Sequence, residues 1–243
     1  PVKREMDMLL STGEQVSIAL IAMAIQAQGE RVVSLTGSQA GILTDNKYSK
    51  AKITQIKSER LKKELEENDI VIVAGFQGVS EDEDITTLGR GGSDTTAVAI
   101  AAALKADVCE ICTDVEGVYA ADPRIVPNAK KIDHIYYDYM IELAVLGAKV
   151  LHPRCVELAK NYNVTIHLRS SFSDKKGTII DGREDIMLEK GSIISGIAHN
   201  YEVVKFVVNS LPNKPGIARR IFESLSDKNI NVLIILQSPS NAK

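Results

Sequence analysis

The run Thr87-Leu-Gly-Arg-Gly-Gly-Ser-Asp94 passes directly into Thr-Thr-Ala-Val-Ala-Ile-Ala-Ala-Ala-Leu104, a glycine-rich loop with one arginine opening an alanine-rich helix. The first N–H groups of a helix lack internal partners, and the macrodipole places partial positive charge there. Glycines let an anionic ligand approach that backbone, and Arg90 adds a fixed cation with planar donors. Ser93 as an N-cap with Asp94 in the first turn would account for those two residues. It would not account for Arg-Gly-Gly. The spacing predicts an anion pocket and does not name the anion.

Strands and helices alternate around this element. Glu14 to Gln28 reads as a helix, preceded by helix-forming Arg4–Leu10, with Val16, Leu20, Met23, Ala24 and Ala27 on one apolar stripe and Gly29 ending it. Strands are expected at 31–36, 107–113 and 164–169, and the continuous apolar run Asp69–Ala74 reads as a strand covered on both faces. Further helices are expected at 58–68, 138–147 and 154–162. This order implies an α/β protein, a largely parallel sheet between helices. A charged, irregular linker is expected from Gly182 to Ile193. Beyond it, Val203–Val208, Gly216–Lys228 and Ile230–Gln237 read as strand, helix and strand, with Pro215 suited to the helix start.

Bulk composition excludes several classes. A net charge of −3 supplies no basic field for nucleic acid or an anionic membrane. No apolar run reads as long enough to span a bilayer, and nothing at the start reads as a signal peptide. The three cysteines, Cys109, Cys112 and Cys155, fit a reducing compartment, and a cytoplasmic location is expected. Cys109 and Cys112 have the C-x-x-C spacing but lie in a strand, where residues three apart face opposite sides. The four histidines, at 134, 152, 167 and 199, make no ligand spacing and read as packing or surface residues. No protein-held metal is expected. Pro1 and the strand at the other end give the impression of a piece cut from a longer protein.

Leu88-Gly-Arg-Gly-Gly-Ser-Asp94 closely resembles the substrate loop of aspartokinases, in the amino-acid kinase family. Met8-Leu-Leu-Ser-Thr-Gly-Glu14, Thr36-Gly-Ser-Gln-Ala-Gly41, Gly75-Phe-Gln-Gly78, Thr113-Asp-Val-Glu-Gly-Val-Tyr-Ala-Ala-Asp-Pro-Arg124 and Gly147-Ala-Lys-Val-Leu-His-Pro153 follow the family's order over nearly the whole chain. The resemblance implies the amino-acid kinase fold over 1–190, without the family's first strand and Lys-x-Gly-Gly loop, then a partial α+β ACT-like regulatory domain over 191–243. It also implies ATP-dependent phosphorylation of the L-aspartate side chain to 4-phospho-L-aspartate, the first step toward the aspartate-family amino acids, with Mg2+ carried by the nucleotide. A kinase of glutamate or acetylglutamate, or a non-catalytic effector-binding subunit, is the alternative.

Residue by residue, the resemblance places Glu14, Phe76, Arg90, Gly91, Gly92 and Ser93 on the substrate, with Glu14 meeting its ammonium group and Arg90 its carboxylate. Asp94 and Arg90 are the expected catalytic residues. Glu14 also follows Ser-Thr-Gly in the manner of a helix-start carboxylate, and Phe76 could equally be packing. Thr113, Asp114, Tyr119, Arg124, Lys149 and Val150 are implied on the nucleotide. Asn213, Lys214, Ile217 and Ala218 are implied on a lysine or threonine effector, with Leu233 unusual at its position. Homo-oligomerisation is expected.

Overall fold

The computed structural model describes residues 2–148, 150–182, 196–201, 203–208, 214–228, 230, 232 and 234–236. They divide into two compact units, 1–200 and 201–243. The expected boundary at 190/191 and the expected linker fall largely outside the described residues.

The first unit opens with α1 (Lys3–Gln26), then β1 (Val32–Leu35), β2 (Ile42–Thr44), β3 (Ile53–Ile56), α2 (Glu59–Glu67) and β4 (Ile70–Val73). Next come β5 (Gln77–Val79), β6 (Ile85–Thr87), α3 (Gly92–Leu104), β7 (Cys109–Thr113), β8 (Val118–Tyr119), β9 (Lys131–Ile132) and β10 (His134–Tyr136). The unit closes with α4 (Tyr137–Leu146), α5 (Pro153–Tyr162), β11 (Ile166–Ser170) and β12 (Thr178–Asp181).

Strand pairing is more mixed than the alternation implied. The larger ladders run β10-β12-β11-β7 and β3-β2-β5-β6, with β1-β4 and β8-β9 as two-stranded ladders. Parallel pairs join β1 to β4, β10 to β12, β11 to β7 and β2 to β5. Antiparallel pairs join β11 to β12, β2 to β3, β5 to β6 and β8 to β9. The antiparallel pairs sit where connections are too short for a helical crossover, as between β5 and β6. The main core lies where α3, α4 and α5 cover the β7–β11–β12 face, around Val98, Ile111, Met140, Val156, Ile166 and Ile180. A second core under α2 holds Leu35, Ala40, Ile42 and Leu61.

Helix α1 departs from expectation in three ways. It runs unbroken through Gly13, around which a Cβ would meet nothing within 4 Å. Glu14 is therefore mid-helix, and the helix-start reading of that carboxylate fails because the dipole acts only over the terminal turn. The expected stripe also points outward: Val16, Leu20 and Met23 are 59%, 58% and 56% exposed, whereas Asp7, Ser11, Ile18 and Ala22 are buried. Polar bonds select that face, since Asp7 and the Ser11 carbonyl are both bonded to the strands beneath. Finally, α1 is long and apolar enough to cross a membrane by length and composition, contrary to the expectation that no run is. Its polar inner face nevertheless packs on the strands of this unit.

In the second unit, α6 (Ile217–Ser226) follows Gly216, whose φ is +89°. Residues 203–208 form no ladder among the described residues, contrary to the strand expectation. An apolar run becomes a strand only with a partner to take its backbone bonds. Residues 230–237 are described only in part, and those described are in no ladder either.

Ile166 is fully buried and central, paired to β7 through Cys109 and to β12 through Ile180. Ile166→Ala should cost about 2–5 kcal/mol of stability in urea unfolding.

Candidate active site

The loop before α3 is shaped by close packing that only glycine permits. Gly91 has φ +66° and is the N-cap of α3. A Cβ there would overlap the Cβ and Cγ of His152, so the imidazole lies directly on this backbone. A Cβ on Gly92 would fall 2.9 Å from Phe76 Cδ2 and 3.0 Å from Leu88 Cβ. Phe76 is itself left-handed, with φ +66°. Its N–H donates to Thr96 Oγ1 at 3.1 Å, and its carbonyl accepts from Leu88 N at 2.9 Å. Such a conformation costs a non-glycine residue about 1–3 kcal/mol and is maintained here by bonds from both sides.

Capping does not explain the helix start. Ser93 is the second helical residue, and no side chain caps the helix. Gly92 N–H is bonded to Gly89 O, and Thr95 N–H to Gly91 O. The N–H groups of Ser93 and Asp94 have no partner among the described residues, and the Ser93 side chain is exposed. Arg90, exposed, makes no ion pair among the described residues. The junction thus presents open donors and a guanidinium, the chemistry of anion recognition. Asp94 is half-buried. Burial pushes its carboxyl up, and the charge of His152 pulls it part of the way back.

Glu14 reaches this region along α1. Its neighbour Gln15 donates to Gln77 Oε1 at 3.2 Å, and Gln77 donates to Ser11 O at 2.9 Å, placing the middle of α1 against the Gly75–Gln77 turn. Glu14 is partly buried and has no ion-pair partner among the described residues. The structure therefore gathers Phe76, Gly91, Gly92, Ser93 and Asp94 around one turn–helix junction that also carries Arg90, while Glu14 lies on α1 beside Gln15, which is bonded to the same turn.

The other expected group lies beyond β7. Thr113 ends that strand, its hydroxyl donates to Asp114 Oδ1 at 3.0 Å, and its carbonyl accepts from Ser171 N. The Tyr119 hydroxyl donates to Glu116 Oε2 at 3.2 Å, and Lys175 Nζ donates to Glu116 Oε1 at 2.7 Å. Lys175 holds the Glu116 carboxyl below its usual range, while burial raises the Tyr119 phenol. Arg124 folds back on Asp122, with Nη2 2.7 Å from Oδ2 and Nε 3.0 Å from Oδ1. Val150 packs against the main core. Lys149 and Asn213 lie outside the described residues. Lys214 and Ala218 are exposed and Ile217 partly so, at the start of α6. A hollow of about 220 Å³ between Tyr136, Tyr137, Asp138, Lys160, Asn163 and Gly182 holds none of these residues.

Reading the sequence missed the supports of the loop. His152 packs, as expected of a histidine outside any ligand spacing, but the surface it packs on is the Gly91 backbone. Arg154 Nη1 donates to Leu88 O at 3.2 Å and Nη2 to Ala51 O at 3.0 Å. Burial pushes its guanidinium below the usual value, partly offset by the charge of Asp45. Asp7, fully buried, accepts from the backbone and hydroxyl of both Ser49 and Thr87. The motif containing His152 was a possible signal; nothing in the sequence flagged Asp7 or Arg154. The cysteines behave as expected: all are free, with Cys109 buried and Cys112 exposed.

An α/β unit whose loop–helix junction presents open N–H donors beside a guanidinium has the chemistry of a site for a small anion. Residues 2–170 match the amino acid kinase family and residues 204–243 the ACT domain. The chain belongs to the amino acid kinase family. It is 54% identical over 242 residues to an aspartokinase of Mycolicibacterium smegmatis, covering 99% of this chain and 57% of that protein. The structure is similar to E. coli aspartokinase III in complex with aspartate and ADP, with a TM-score of 0.80 and 28% identity over 98% of this chain and 54% of that one. The same enzyme in complex with lysine and aspartate gives a TM-score of 0.78 at 28% identity over the same shares. The chain thus spans a little over half the length of the curated relatives it matches.

The Asp122 carboxyl is drawn from 3.8 to about 2, first by the Arg124 side chain and then by its backbone N–H. Because the folded value is depressed, the contact contributes fully above pH 3.8 and is lost as pH falls through about 2. In Arg124→Gln, the Asp122 titration followed by carboxyl 13C NMR should move back toward 3.8.

Proposed function

We propose that this chain is the catalytic region and the start of the regulatory domain of an aspartokinase, transferring the γ-phosphoryl group of ATP to the side-chain carboxylate of L-aspartate. The carrying observation is the junction at α3: open N–H groups on Ser93 and Asp94 directly after the exposed Arg90. The identity to curated aspartokinases supports the choice of aspartate.

The chemistry suits these residues. The acceptor is a carboxylate with an ordinary pKa of about 3.9, ionised at neutral pH, so no general base is needed. The difficulty is bringing two anions together and stabilising charge on the transferring group, which calls for positioning and fixed donors. Arg90 can hold a substrate carboxylate through two parallel hydrogen bonds, and Glu14 can hold the ammonium. Phe76 walls the pocket against Gly92. Asp94 has no proton to take from substrate; its role is to orient cationic groups or the magnesium-bound phosphates by placing negative charge beside them.

Thr113, Asp114 and Tyr119 would hold the base and ribose at the carboxyl end of β7, with Arg124, Lys149 and the Val150 backbone toward the phosphates. A magnesium ion would come in with the triphosphate, and the Asp94 carboxylate would offer it a hard oxygen donor. The ion would neutralise phosphate charge.

E. coli aspartokinase III was crystallised with lysine, which supports an amino-acid effector at Asn213, Lys214, Ile217 and Ala218 of this chain. Assembly into a homo-oligomer and a cytoplasmic location complete the reading; the free cysteines accord with the latter.

The decisive measurement is ADP release by the full-length protein with aspartate, glutamate or acetylglutamate as acceptor. Aspartate should be turned over about tenfold or more faster than either rival, as a site built for one polar substrate discriminates. Preference for a rival would reassign the substrate, and no turnover would favour a non-catalytic subunit. Asp94→Asn should lower kcat about 10²-fold while KM for aspartate stays within a few-fold. Unchanged turnover would remove Asp94 from the catalytic set.

A further inference from the structure

Asp7 takes no part in the chemistry above, yet it is fully buried and makes more side-chain hydrogen bonds than the mechanism explains. Its Oδ2 accepts from Ser49 N and Thr87 N, each at 2.8 Å, and its Oδ1 from Ser49 Oγ and Thr87 Oγ1, each at 2.9 Å. Thr87 is the last residue before Leu88-Gly89-Arg90. On the far side of the same strand end, Arg154 holds the Leu88 and Ala51 carbonyls. Ser49, held left-handed at φ +66°, lies against Gly89: a Cβ there would be 3.0 Å from Ser49 O.

Asp7 and Glu14 are two helical turns apart on α1, about 10.5 Å along the axis. The helix has one arrangement relative to the loop as long as its Asp7 end is bonded to Thr87 and its Gln15 region to Gln77. We propose that Asp7 is a positioning residue that fixes the separation between Glu14 on α1 and Arg90 on the loop, making the pocket selective for a short dicarboxylic amino acid over its one-methylene homologue. The inference rests on the reading of Glu14 and Arg90 as the ammonium and carboxylate contacts. In Asp7→Asn the amide oxygen can stay on the two backbone N–H groups, but the NH2 meets the two hydroxyls, which must turn to accept, and all four bonds lose their charged acceptor. The strut would loosen without a change in side-chain size.

The test compares full-length wild type with Asp7→Asn, taking kcat and KM for aspartate and for glutamate, KM for ATP, and the thermal midpoint. The expected result is a rise of about tenfold in KM for aspartate and a fall of about fivefold or more in the aspartate-to-glutamate ratio of kcat/KM, with KM for ATP within about twofold. An equal loss with both acceptors, or an unchanged ratio in a folded variant, overturns the proposal, because a purely structural role would not shift discrimination. If Asp7→Asn does not fold, Thr87→Val decides instead. It removes one hydroxyl donor and should move the ratio in the same direction by a smaller factor; no movement overturns the proposal. A wild type inactive on both acceptors sinks the kinase reading itself, a result distinct from an active wild type whose selectivity ignores Asp7.

Discussion

The beginning of α3 exists in this form only because nothing projects from Gly91 and Gly92. The His152 ring occupies the space of one missing side chain and the Phe76 ring that of the other. Both contacts press the loop into a conformation in which the next N–H groups face outward rather than into a cap. Left-handed backbone at Gly91 costs glycine little and an L-residue about 1–2 kcal/mol, before any clash. Phe76 shares the constraint from the opposite side, accepting an unfavourable φ so that its ring can close over the glycines. Pocket shape therefore follows from packing, and charge is added to a backbone already fixed.

Electrostatics is arranged in two layers around that backbone. A charged group that remains open, Arg90, stands exposed on the loop. Two further charged groups, Asp7 and Arg154, are bonded to the main chain of Ser49, Ala51, Thr87 and Leu88, and Asp7 also to the Ser49 and Thr87 hydroxyls. Burying a carboxylate or a guanidinium is tolerable only when bonds replace the lost water. These two have such bonds, each joining segments far apart in sequence. The loop is held by groups whose satisfaction depends on its staying in place.

The parts legible in the sequence were those with local signatures. The glycine loop and alanine helix, the strand ending at Thr113 and the opposite facing of Cys109 and Cys112 each follow from spacing along a short segment. Long-range choices were not legible. The stripe of Val16, Leu20 and Met23 satisfies every rule for a buried face, yet Asp7 and Ser11 turn the helix the other way through bonds to strands more than sixty residues downstream. Periodicity measures where apolar residues cluster, not which side finds partners. The mixed pairing of the ladders was hidden for a related reason: alternation of strands and helices does not reveal which strands are joined by connections too short to cross over. Arg154 is invisible as a support because its partners are the bare backbone carbonyls of Leu88 and Ala51, which no residue type announces.

The closed pair of Asp122 and Arg124 has a consequence for whatever anion approaches it. That guanidinium is not waiting bare; its Nε and Nη2 already hold a carboxylate, so a ligand that wants this paired edge has to evict a resident. Eviction exchanges one negative partner for another and leaves local charge balance nearly unaltered, which dulls the attraction of a singly charged visitor. A guest with several charges gains a margin there that a lone ion does not, and the released Asp122 becomes a new acceptor at the threshold.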